Sequence, residues 1–302
     1  MAPAASPCTD PVVLNMWHPI SASAEIKPCR VHTTQLLGTS VSYTLDGDGR
    51  PVVWPADPAL RPGMPVDAAR ITERLPVIDR FCFIWTSYGD PPDRLFSIPE
   101  FDESDRRTFA AASIGVHTSA PRAVENFLDM GHFPYVHTGI LGVEPHTEVV
   151  EYDVEITEEN EILATRCLFY QPVAALAATE GQMTEYTYRV PHPYVAMLYK
   201  TAPPDPSRLD AIAIFLQSVT EEQIVAHNFL CMVDHTNTDS ELKIFQQKIF
   251  GQDKPIIENQ VPRRLPLAPR AETPIRADKS SITYRRWLSD LGITYGVIPE
   301  AA

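Results

Sequence analysis

No apolar run in the chain is long enough to cross a bilayer. The smoothest, VAALAA at 173–178, falls far short of the roughly 20 residues that a spanning helix needs. Basic charge is also scarce: 25 Lys and Arg stand against 39 Asp and Glu, a net charge of −14 in 302 residues. Phosphate contacts need clustered Lys and Arg, so neither nucleic acid nor an anionic membrane is an expected partner. The five cysteines, Cys8, Cys29, Cys82, Cys167 and Cys231, are odd in number and scattered. They make no disulfide framework and fit reduced, mostly buried thiols. MAPAASPC at the start has no basic region and no apolar core, so no signal peptide is expected and the expected location is cytoplasmic. There is no internal repeat and no low-complexity tract.

What is present suits a folded protein of one large or two modest domains. The apolar fraction of 44% is enough for a sizeable core, and 29 prolines imply many loops and edge positions. Residues 31–54 read as two strands around the turn DGDGR, 55–65 as a Pro-rich loop, and 74–92 as one further strand ending in a turn. From 147 to 234 the text alternates and is β-branched, which predicts five or six strands of an antiparallel sheet. Before it, Pro121 opens a helix. After it, Leu242, Phe245, Ile249 and Phe250 recur at helical spacing, and SSITYRRWLSDL (280–291) reads as a closing helix. The fold class is therefore α+β: a β-rich module over 1–103 and a domain over 104–302 built as helix, antiparallel sheet and helices.

The segment ENFLDMGHFPYVHTG (125–139) interleaves an amide, a carboxylate and two imidazoles with apolar residues. On a helix Asn126, Asp129 and His132 would share one face within about 120°. His137 would point about 140° away from His132 on an unbroken helix. Gly131 and Pro134 are expected to break the run and re-aim His137. Two imidazoles need a third donor. Asp253 is the best candidate, read as lying just past the helix between Gly251 and Pro255; Glu258, Asp239 and Asp234 are weaker ones. Two histidines and one carboxylate suit non-haem Fe(II) with open positions. The same set suits a hydrolytic zinc site, and buried histidines are often satisfied core residues, so the residues alone leave all three readings open.

VENFLDMGHFPYVHTG closely resembles the catalytic signature of Rieske non-haem iron oxygenase α-subunits. FGQDKPIIENQ (250–260) is similar to that family's carboxylate-bearing segment, and DKSSITYRRWL (278–288) to its closing helix. LNMWHPI, LLGTSVSYTLDGDGRPV and RFCFIWTSYGDP resemble the edges of its Rieske domain. The resemblance implies a helix-grip catalytic domain with His132, His137 and Asp253 as ligands to Fe(2+). It implies that Asp129 bridges a ligand histidine towards the cluster and that Asn126 sits beside the metal without binding it firmly.

The family's cluster needs Cys-x-His followed by Cys-x-x-His. The interval Pro55–Arg74, where these should fall, has neither Cys nor His, and CRVH at Cys29–His32 lies too early. No 2Fe–2S cluster is expected in this chain. Within the family the chain looks most like bacterial methylxanthine N-demethylase subunits that lack the cluster. That likeness implies oxidative removal of the N7 methyl of 7-methylxanthine, with NAD(P)H electrons delivered by a separate Rieske-containing reductase. It also implies a glutathione-transferase-like partner subunit and a trimer-based homo- or hetero-oligomer. Phe169, Tyr194, Gln217 and Asn228 lie in expected strands where they could wall a flat purine, but read more simply as sheet residues. A catalytically silent subunit and a zinc-dependent hydrolase are the rival readings.

Overall fold

The computed structural model describes residues 6–173, 176 and 180–300. MAPAA and most of VAALAA lie outside the described residues. Among those described, no helix is long and apolar enough to cross a membrane.

The first hundred residues form two small sheets. Strands β1 (His18–Ala22), β2 (His32–Leu36), β3 (Thr39–Leu45), β4 (Pro51–Pro55), β5 (Val77–Arg80) and β6 (Phe83–Thr86) pair as β1-β6-β5 and β2-β3-β4. The β3–β4 hairpin closes on the Asp46–Gly49 turn, as its Gly- and Asp-rich text dictates. Two further turns split what reads as single strands. Leu37 and Gly38 separate β2 from β3, and Phe81 and Cys82 separate β5 from β6, all four at positive φ. Phe and Cys seldom adopt that conformation, so the second turn carries no sequence signal. The stretch 55–74 remains loop apart from a short 3₁₀ turn at Ala68–Arg70, and Val31, Val52, Trp54 and Ala68 form a small apolar cluster around it.

The centre of the molecule is a seven-stranded antiparallel sheet. It comprises β7 (Arg107–Val116), β8 (Asp153–Ile156), β9 (Ile162–Gln171), β10 (Gln182–His192), β11 (Val195–Ala202), β12 (Asp205–Thr220) and β13 (Gln223–Met232), ordered β7-β13-β12-β11-β10-β9-β8. Six of these are the strands expected between 147 and 234. The seventh, β7, was not expected from its Ala-rich text, and it closes the edge beside β13. Both faces of the central strands are covered, which is why AIAIFLQSV and VAMLY are continuous apolar runs. Val195, Met197, Ala213, Phe215 and Phe229 face Phe81, Phe83 and Trp85 of the amino-terminal sheet. The side chains between them in register, Leu198, Lys200, Ile212 and Ile214, face the other way, toward the helices.

Three helices grip that second face. Helix α2 (Ala120–Leu128), the second after a one-turn α1 (Pro11–Leu14), starts at Ser119, whose hydroxyl accepts from Arg122 N. Helix α3 (Phe133–Val136) is a single turn. Helix α4 (Asp239–Glu258) begins with a capping box between Thr238 and Glu241 and buries Leu242, Gln246, Phe250, Asp253 and Ile257 along one stripe. The closing helix α5 (Lys279–Asp290) is tied to α2 by charge. Arg285 Nε donates to Glu125 Oε1 at 2.6 Å, Arg122 Nη1 donates to Glu125 Oε2 at 3.0 Å, and Glu272 accepts from both arginines.

Candidate metal centre

Asn126, Asp129 and His132 do not share one helix. Helix α2 stops at Leu128 because Asp129, its C-cap, takes an extended backbone (φ −84°, ψ 118°). The chain turns through Met130 and Gly131, and His132 becomes the N-cap of α3. The break therefore falls at Asp129–Gly131 rather than at Pro134. Pro134 sits in the first turn of α3, where its missing N–H costs nothing, and Phe133 before it is helical. His137 is the C-cap of the same turn, so the two imidazoles bracket a one-turn helix.

Asp253 likewise lies inside α4, not beyond it. The helix runs on through Pro255, although a proline ring crowds the carbonyl four residues earlier, here that of Gly251. Staying helical puts Asp253 on the stripe of Gln246 and Phe250, pointing at the sheet side.

These elements bring three donors together. His132 Nε2 is 3.3 Å and His137 Nε2 3.0 Å from the same oxygen, Asp253 Oδ1. The ring centroids are 5.0 Å apart. Among the described residues His132, His137 and Asp253 form the one group of three or more His, Cys, Asp or Glu whose ligand atoms all lie within 4.8 Å of one another. Asp253 Oδ1 is buried and has no hydrogen-bond partner, although both rings are close to it. Close approach without hydrogen-bond direction is what a shared cation requires of its donors, so the residues fit a bound metal.

The other nitrogen of each ring is committed elsewhere. His132 Nδ1 donates to Asp129 Oδ2 at 3.0 Å, and Asp129 Oδ1 accepts from Gly131 N at 2.7 Å. His137 Nδ1 donates to Gln252 Oε1 at 3.0 Å. Both tautomers are thereby set with Nε2 turned inward, the arrangement by which outer partners orient ligand imidazoles. Gln252 was not anticipated; a glutamine beside a candidate ligand carries no pattern of its own.

The charge balance favours a cation. Burial works against protonation of His132, but Asp129 and Asp253 outweigh it and push its pKa up to about 9. Burial raises the Asp253 carboxyl, yet His132 and His137 more than offset that and hold it below the usual carboxylate range.

The group opens into a cavity of about 650 Å³ of atom-free space, its mouth included. Asn126, Phe127, Leu141 and α4 residues Phe245, Gln246 and Ile249 wall it, with Tyr186, Tyr188, Leu198, Lys200, Ile212 and Ile214 on the sheet side. Asn126 thus stands in the same cavity as the three donors. The weaker carboxylates are elsewhere: Glu258 accepts from His117 N and Lys254, while Asp234 and Asp239 hold Arg107. Phe169 packs edge-on against Phe133, Tyr194 donates to Tyr295 O, Gln217 donates to Thr34 Oγ1, and Asn228 lies beneath Gln246, so none of the four lines the cavity.

Residues 116–292 match the vanillate O-demethylase oxygenase C-terminal domain. The probable methylxanthine N7-demethylase NdmC of Pseudomonas sp. (strain TJI-51) is 46% identical over 285 residues, covering 94% of this chain and 96% of that protein. Among solved structures, Pseudomonas putida CBB5 NdmA with caffeine superposes with a TM-score of 0.71 at 19% identity, over 92% of this chain and 90% of that one. Dicamba monooxygenase bound to 3,6-dichlorosalicylic acid gives a TM-score of 0.72 at 18% identity, over 92% and 97%. Enzymes of this kind generally use non-haem iron, work with a reductase and form oligomers. The chain belongs to the Rieske-type non-haem iron oxygenases, a family of monooxygenases and demethylases.

Proposed function

We propose that this chain is the catalytic subunit of a methylxanthine N-demethylase that removes the N7 methyl of 7-methylxanthine, giving xanthine and formaldehyde. The observation that carries the reading is the meeting of His132 Nε2, His137 Nε2 and Asp253 Oδ1 in one cavity. It is supported by a full-length relative that bears the N7-demethylase name.

In this reading His132, His137 and Asp253 hold Fe(2+), and the metal supplies dioxygen activation at the positions that two histidines and a carboxylate leave open. The protein's own residues supply placement. Asp129 and Gln252 fix the two rings, and Asn126 lies beside the group without a bond to it. Phe127, Leu141, Ile212 and Ile249 give apolar walls that limit water around the reacting methyl. Insertion of one oxygen atom into a methyl C–H bond yields a hemiaminal, which collapses to formaldehyde and a ring N–H. The other oxygen atom leaves as water, so each turnover consumes two electrons and two protons.

Those electrons come from outside, because residues 55–74 contain no Cys or His to hold a 2Fe–2S cluster and an apolar cluster surrounds that stretch. A Rieske-containing reductase drawing on NAD(P)H is the donor in this reading. A glutathione-transferase-like subunit is a further partner, in a trimer-based cytoplasmic assembly. Residues 1–103 are the degenerate Rieske-like module and 104–302 the catalytic domain.

Purified protein assayed for formaldehyde across a panel of methylxanthines tests this. Release is expected from 7-methylxanthine, only with a Rieske-bearing reductase, and not from the His132→Ala variant. Undiminished release by that variant would overturn the assignment.

A further inference from the structure

The sheet side of the cavity carries an ammonium group that the metal-holding residues do not use. Lys200 of β11 is 6% exposed and lies in register between Tyr186 of β10 and Asp210 of β12. Apart from the two histidines it is the cationic side chain among the cavity's lining residues, which are otherwise mostly apolar. Burying a charge in such surroundings is costly unless another group compensates it. Asp210 supplies the countercharge: it is fully buried, and its Oδ1 accepts from Val233 N at 2.8 Å. Burial lowers the Lys200 pKa against the pull of Asp210, and burial raises that of Asp210.

Position adds direction to charge. Lys200, Ile212, Phe245 and Gln246 also line a neighbouring cavity, whose wall includes Asp210 and Asp234 but none of His132, His137 and Asp253. Lys200 therefore belongs to the wall that the two cavities share, and none of the three candidate ligands does. A methylxanthine carries both carbonyl oxygens on its six-membered ring and N7 on its five-membered ring. The C2 carbonyl lies between N1 and N3, at the end of the molecule opposite the five-membered ring.

Resting on the purine reading above, we infer that Lys200 sets which methyl group reacts: its ammonium donates a hydrogen bond to the C2 carbonyl oxygen of a purine dione. Held there, the ring turns its N7 edge toward His132, His137 and Asp253 and keeps substituents on N1 and N3 away from them. Lys200 is a specificity-determining contact rather than a participant in bond breaking.

Equilibrium dialysis of the full chain against 7-methylxanthine and against 7-methylhypoxanthine, which lacks the C2 carbonyl, tests the contact without turnover. The wild-type protein is expected to hold 7-methylhypoxanthine about 10- to 100-fold more weakly, the range for a hydrogen bond to a charged group. Lys200→Met, checked for cooperative melting, is expected to bind both purines at the weaker level. With theobromine and a reductase, the same variant is expected to lose the preference for N7 over N3 removal. Equal binding of the two purines by the wild type would overturn the inference even if Lys200→Met failed to fold, and so would discrimination that persists in a folded Lys200→Met. Wild-type protein that bound neither purine would remove the purine reading and this inference with it. Binding of 7-methylxanthine without carbonyl dependence would remove the Lys200 contact alone.

Discussion

At the scale of single residues, the arrangement turns on the Nδ1 atom of each imidazole. Asp129 holds one and Gln252 the other, which leaves both Nε2 atoms facing Asp253. Gln252→Leu removes the acceptor without touching a candidate ligand. Its expected effect is a loss of about 10- to 100-fold in ferrous affinity, the usual cost of losing an outer partner, measured by anaerobic metal titration. Asp253→Asn removes the carboxylate charge that would balance a divalent ion, and on the proposed reading the variant is expected to bind ferrous iron at least about 10-fold more weakly in the same titration.

The sequence exposed these residues unevenly. Two histidines five apart with an aspartate before them are visible as donors. Asp253 is visible too, as a carboxylate set between Gly251 and Pro255, and the likeness to iron oxygenases points to the same residue. Gln252 and Lys200 were not visible, because an amide on a helix and a lysine in a strand acquire meaning only from what lies across the cavity.

At the scale of elements, the one-turn helix α3 decides where the histidines point, and it is pinned from outside. A Cβ at Gly142 would stand 2.6 Å from Pro134 N and 2.8 Å from Phe133 C, both backbone atoms of α3. Gly142→Ala must therefore move α3 or its own loop. It is expected to cost about 1–3 kcal/mol, as overpacking does, and to weaken iron binding, read by denaturant unfolding and metal titration. Helix α4 offers the opposite case. Phe250 is 5% exposed and shares the stripe of Asp253, so Phe250→Ala is expected to cost about 3–5 kcal/mol in the same unfolding measurement.

The elements also explain what reading the text achieved and missed. Alternating β-branched segments between 147 and 234 announce their strands. Strand β7 does not, since alanines pack as well in a sheet covered on both faces as in a helix. The β5–β6 turn hides for another reason: Phe81 and Cys82 are held at positive φ by the packing of Phe81 beneath Phe96 and Phe101, a tertiary cause. Asp253 seemed to lie beyond α4 because Gly251 and Pro255 look like breakers. Helix α4 nevertheless continues through both of them.

At the scale of the whole molecule, buried titratable groups set the response to acid. His18, His192 and His227 are enclosed in the packing around the sheet. Burial lowers their pKa values to about 4, about 3 and about 3, with His18 adding to the effect on His192. Each binds a proton more readily when unfolded, near the ordinary value of about 6.5. Their contribution is therefore complete above pH 6.5 and is lost as pH falls from there toward 4 and below. Glu272 acts in the same direction lower down. Burial opposes its ionisation, but Arg122 and Arg285 hold it at about 2, so stability falls again below about 4.5. Unfolding midpoints measured from pH 6 to pH 3 should decline steadily. A rise over that range would contradict this account.

The same scale contains the claim on which the rest depends, that one turn of helix and one long helix deliver three donors to a single ion. Crystals of the protein loaded anaerobically with ferrous iron, with data collected on both sides of the iron absorption edge, test it most directly. The account predicts one anomalous peak per chain, bonded by His132 Nε2, His137 Nε2 and an oxygen of Asp253. A peak at another set of residues, or none in iron-loaded crystals, would contradict it.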